Sequence, residues 1–187
     1  MQGMFYRERA RGARWSVKFT MKSNMFEVTG ESVLMLYGAH LTGTPASSLL
    51  VIAEKPLSNE ALTALRKSAR TLEFGDAPVA VATLTAGEGP SDDGSPGGGL
   101  PDTPSPDEST LGPEDVRTIV EGLDPVALVA TDAASAEALS AAYRTPVTLD
   151  APNRLLGRTA VIFQDFESLM ETPESKQKAW ALLKQLR

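Results

Sequence analysis

Four short apolar runs, each too brief for a helix, constrain this chain more than anything else in it. They are Leu49-Leu-Val-Ile-Ala, Val79-Ala-Val-Ala-Thr-Leu, Val126-Ala-Leu-Val-Ala and Thr159-Ala-Val-Ile-Phe. A continuous apolar run of this length is the signature of a strand buried on both faces, and such strands belong to parallel sheets covered by helices. Helical patterns lie between the runs. Ser58 is placed to cap a helix reaching about Phe74 and closed by Gly75, with Leu62, Leu65, Ala69 and Leu72 on one face. Pro113 opens another, followed by Glu114 and Asp115 where the helix dipole favours acids, and ending at Gly122. Asp132 caps a third over Ala133–Tyr143, and Thr172 with Pro173 opens the last, whose stripe is Ala179, Leu182, Leu183 and Leu186 with Trp180 beside it.

Strand, helix and strand in succession make the strands parallel. The predicted fold is therefore α/β, a three-layer α/β/α sandwich around a four-stranded, mainly parallel sheet. A helix beginning near Ser32 is expected within residues 25–42, and Thr145-Pro-Val-Thr-Leu reads as an extended edge or connector.

Two segments stand outside this body. Residues 86–113 contain almost nothing to bury, so ordering them would cost about 1–2 kcal/mol per residue without return, and they are expected to be disordered. Residues 1–24 read as a basic arm. Its Arg7, Arg9, Arg11, Arg14, Lys18 and Lys22 face the single acid Glu8, whereas residues 23–187 hold the remaining 23 of 24 acids and 12 of 18 bases. With Phe5, Tyr6 and Trp15 between the arginines, the arm suits stacking on single-stranded bases or docking in a protein groove. Met21 and Met25 are alternative starts, which would leave the arm outside the native protein. The remainder, 25–187, is expected to form one domain.

Composition narrows the chemistry. The chain has no cysteine and one histidine, His40, so thiolate nucleophiles, zinc–thiolate sites and iron–sulfur clusters are excluded and no cofactor or metal is expected. His40 reads as an ordinary helix-end residue. No apolar run is long enough for a bilayer, and Met1–Arg9 lacks the apolar block of a signal peptide, so a cytoplasmic protein with no membrane partner is the expectation. Gly97-Gly-Gly follows no strand and opens no helix, so it is no phosphate cradle, and no nucleophile elbow surrounds Ser47 or Ser48.

The order of elements, with Val51-Ile-Ala-Glu-Lys-Pro-Leu57 at the first strand end, resembles the uracil-DNA glycosylase superfamily. Val79–Leu84 looks like that family's second strand, and Asp124–Ala130 with the helix behind it like its third. Phe163-Gln-Asp-Phe-Glu-Ser-Leu-Met170, Thr172-Pro-Glu-Ser-Lys176 and Ala179–Leu183 look like its histidine–proline motif, linker and terminal helix. The resemblance implies a pocket at Ala53, Glu54, Lys55, Pro56, Thr83, Phe163, Gln164 and Asp165. It also implies lost chemistry. Gln164 and Asp165 replace the family's histidine and proline, and Thr83 stands where an asparagine reads uracil. One hydroxyl does not supply an amide's paired donor and acceptor. Ala53 and Leu57 replace glycines that let backbone approach the base.

Glu54 is the surviving catalytic candidate, able to orient a water, or else to cap a helix or pair with Lys55 or Arg158. The expected function is a non-catalytic glycosylase-like domain that binds a protein, or a nucleic acid through Arg7, Arg9, Arg11, Arg14 and Lys18. The alternatives are a divergent DNA glycosylase or nucleotide-handling enzyme using Glu54, and a scaffold similar to the psi subunit of the bacterial clamp loader.

Overall fold

A computed structural model describes residues 25–75, 79–86 and 110–187. The chain is α/β. Six strands, β1 Leu41–Gly43, β2 Leu49–Ala53, β3 Val79–Thr83, β4 Ala127–Ala130, β5 Ala151–Leu155 and β6 Arg158–Ile162, form one sheet in the order β1-β3-β2-β4-β6-β5. The four apolar runs are its centre and are mutually parallel, while β1 and β5 pair antiparallel at the two edges. The sheet is thus mixed and six-stranded, two strands larger than the sequence pattern predicts.

Both edge strands lack the signal that betrays the central ones. β1 is three residues long and half exposed, and a 3-10 turn over Gly38–His40 joins it to a helix, α1, over Met25–Tyr37 that starts earlier than Ser32. Its last residue is Gly43 at φ +97, where an added Cβ would stand 2.6 Å from the Val79 carbonyl oxygen; only glycine admits that approach. β5 lies beyond the Thr145–Leu149 stretch expected at the edge, and contains Pro152, tolerated on an edge strand. It joins β6 through Leu156-Gly157, both at positive φ, the backbone of a tight two-residue hairpin that usually carries Asn-Gly.

The remaining helices are α2 Asn59–Thr71, α3 Pro113–Leu123, α4 Ala133–Tyr143 and α5 Pro173–Leu183. Ser58, Asp132 and Thr172 cap α2, α4 and α5 as their positions imply. Alternation along the strands explains the three layers. Leu50, Ile52, Leu128, Ala130, Ala160 and Ile162 face one core shared with α1, α3 and α4. Leu49, Val51, Ala127, Val129, Val161 and Phe163 face the other, covered by α2 and α5. Each strand reads as unbroken apolar sequence because both of its faces are buried.

Most of the segment expected to be disordered, residues 87–109, lies outside the described residues, as does the arm. The expected span is too wide at its end, because Leu111 is buried and its amide donates to the Leu84 carbonyl at 2.8 Å.

Candidate functional site

In an open α/β sheet, ligands bind beyond the carboxyl ends of the strands, where neighbouring connections leave toward opposite faces. Here that point falls between β2 and β4. From β2 the chain passes to α2 on one face, and from β4 to α4 on the other. Thr83, Glu54 and Gln164 all lie along this edge, Thr83 closing β3 and the other two following β2 and β6, which β4 separates. Two strand spacings put roughly 10 Å between the β2 and β6 ends.

Asp132 occupies the crevice between β2 and β4. Its Oδ1 accepts the Ser135 amide at 2.7 Å, the helix cap, while its Oδ2 accepts the Glu54 amide at 2.9 Å and the Thr131 hydroxyl at 2.9 Å. Ser135 returns the cap through its Oγ, which accepts the Asp132 amide at 3.2 Å. One carboxylate thus stitches the turn after β2 to the start of α4. On the β3 side, the Leu84 and Thr85 amides donate to the Ala53 and Glu54 carbonyls at 2.8 and 3.0 Å, and the Thr85 hydroxyl adds a bond to Glu54 O at 2.8 Å.

Thr83 is also committed elsewhere. Thr83 is buried, its hydroxyl donates to the His40 carbonyl at 3.3 Å, and its own carbonyl accepts from His40 Nδ1 at 2.9 Å. His40 is likewise buried; it locks α1 and β1 onto the end of β3. Phe163 lies in the core with its ring 5.0 Å from that of Phe166, and the Phe166 amide donates to Thr131 O at 2.7 Å across the end of β4. Ala53 is fully buried, while Lys55 and Pro56 are exposed.

Gln164 and Asp165 are exposed. The Gln164 amide donates to Asp150 Oδ1 at 3.2 Å, and Asp165 Oδ1 accepts the Ser168 amide at 3.1 Å, which fixes a turn. Glu54 keeps its carboxylate at the surface, 3.8 Å from Lys55 Nζ. Its other suggested partner, Arg158, begins β6 at the opposite end of the sheet and pairs there with Glu121 and Asp124. The arm residues Arg7, Arg9, Arg11, Arg14 and Lys18 lie outside the described residues.

Beside this edge one hollow is acidic. Glu167 holds the turn before α2 by accepting both the amide and the hydroxyl of Ser58, each at 2.7 Å. It joins Glu60, Asp165 and Glu171 around a hollow of about 400 Å³ whose lining includes no base. Among the described residues no three of His, Cys, Asp or Glu converge as a bound cation needs. A larger groove, about 700 Å³, lies between α2 and α5, away from Glu54, Thr83 and Gln164. Sequence reasoning saw Asp132 only as a cap and did not find Glu167, the His40 lock or this groove. Their one legible trace is Trp180, an aromatic beside a helix stripe that α5 alone does not cover.

No protein-family model matches the chain, and a search of curated proteins finds no match either.

Proposed function

We propose that the chain is a non-catalytic domain of the uracil-DNA glycosylase kind that binds a protein. The observation that carries this reading is the state of the strand-end crevice. Asp132 bonds across it, the Thr83 hydroxyl is turned to His40, and carboxylates gather beside it. Base excision needs a pocket for an extruded base, donors for the leaving anion and an approach path for phosphates. An acidic rim repels the phosphate backbone, the main source of sequence-independent DNA affinity. Among the described residues the surviving candidate to activate water is Glu54, whose side chain is 46% exposed beside Lys55.

Incubating the full chain at high concentration with uracil-containing single-stranded DNA is expected to release no uracil above the protein-free control. Release abolished by Glu54→Gln would establish the catalytic reading in its place.

A second reading has one observation in its favour, the six bases within residues 1–22. It assigns nucleic-acid binding to the arm and requires affinity that falls with salt and disappears when Arg7, Arg9, Arg11 and Arg14 are changed to Glu.

A further inference from the structure

Helices α2 and α5 share a sheet face yet leave a groove between them. Its apolar lining is Ala64, Phe166, Met170, Ala179, Trp180 and Leu183, and the ion pair between Lys176 Nζ and Glu60 Oε1, at 2.8 Å, spans from α5 to α2. An open groove with an apolar floor offers a seat for another segment. The charge around it is polarised. Through Glu60 and Met170 it adjoins the hollow ringed by Glu60, Asp165, Glu167 and Glu171. Lys67 lines the groove itself, and beyond it along α2 stand Arg66 and Arg70. The occupant must therefore bring apolar side chains for the floor and positive charge for the carboxylate end.

Residues 4–14 of the same chain, Met-Phe-Tyr-Arg-Glu-Arg-Ala-Arg-Gly-Ala-Arg, have that pattern, three adjoining apolar or aromatic residues and then four arginines. We infer that this segment docks in cis. Met4, Phe5 and Tyr6 lie on the groove floor, and the arginines lie over the carboxylates of the adjoining hollow. The reach is sufficient. α1 starts at Met25 and packs on the opposite sheet face, where Val33 is buried. The 19 residues from Tyr6 to Met25 span up to roughly 60 Å, more than the width of a domain this size. A tethered segment also meets its groove at millimolar effective concentration, so moderate contacts suffice to keep it seated. Arginine suits the task because its planar fork engages carboxylates in pairs. The docking is independent of whether the strand-end crevice is catalytic.

The absence of cysteine allows a direct test. In the full chain, Phe5→Cys is combined with Ala64→Cys on the groove floor, and in a control with Leu156→Cys at the exposed hairpin tip. Mild oxidation is expected to form the intrachain disulfide at least tenfold faster in the groove pair. Raising salt to about 1 M, or changing the four arginines to Glu, is expected to remove the advantage. Phe5→Cys with Thr63→Cys, on the exposed rim, repeats the measurement if Ala64→Cys perturbs folding. Equal rates for groove and control pairs overturn the docking. Disulfides that form only between chains overturn it as well, and assign the groove to a second copy.

Discussion

At the scale of single residues, Asp132 has the most to do. It caps α4 with one oxygen and holds the Glu54 turn with the other. Losing a cap costs about 1 kcal/mol, and an amide left without its acceptor costs about 1–3 kcal/mol more. Asp132→Ala is therefore expected to lower unfolding free energy by about 2–4 kcal/mol in chemical denaturation. Asp132→Asn keeps one acceptor oxygen and should cost clearly less than the alanine variant. Equal losses would show that the single oxygen the asparagine keeps stabilises nothing. His40 teaches a related lesson. Its ring serves the backbone carbonyl of Thr83, so the histidine near the carboxyl edge of the sheet here positions a strand.

At the scale of elements, α3, α4 and β6 are held together at the amino end of the sheet by Arg158. Its guanidinium donates to Glu121 at 2.9 and 3.1 Å and to Asp124 at 2.6 Å, and Tyr143 donates to Glu121 at 2.7 Å. Partial burial works to raise the Glu121 carboxyl, but the bonds from Arg158 and Tyr143 outweigh it and hold the group below its ordinary value of 4.5. A carboxyl depressed in the folded state adds stability that is complete above its unfolded value. That stability is lost as pH falls through the folded value. Stability is thus expected to decline as pH drops below about 4.5, and Glu121→Gln should flatten that limb. At neutral pH the same change should cost only about 1 kcal/mol, because the Glu121 side chain is 40% exposed and screened. Denaturation midpoints measured from pH 7 to pH 3 in both proteins decide it. Tyr143 moves the other way: burial and the Glu121 carboxylate push its phenol above the ordinary 10.0. Its contribution is therefore complete below pH 10 and lost only as pH rises through the folded value.

At the scale of the whole molecule, the body closes across the segment 87–109. Leu111 bonds to Leu84, so the two ends of that segment start from one fixed point in the fold. Replacing residues 87–109 with a four-residue turn shortens the closed loop without touching a described contact. Loop-closure entropy alone then predicts a gain of about 1–2 kcal/mol, read as a raised denaturation midpoint. A loss of stability would mean that the excised residues pack on the body.

The same scale separates what was legible in the residues from what was not. Four central strands, three helix caps and two covered sheet faces were readable because each rests on a local or periodic signal. A strand buried on both faces is apolar at every position, and a cap is one polar residue before a helix. The edge strands were not readable, since β1 has only three residues and both β1 and β5 are partly exposed and held by pairing with β3 and β6 rather than by their own composition. Strand-end sequence suggested a crippled pocket, yet nothing local says that Asp132 reaches Glu54 across 78 positions, or that Glu167 reaches Ser58 across 109. Sequence by itself determined the α/β class, the parallel centre and the residues placed at its carboxyl edge. Tertiary structure alone decided which of those residues face solvent, which are spent on one another, and where a groove stays open. The division follows from range: periodicity and capping act within a few residues, whereas a site forms from groups that meet only after the sheet has assembled.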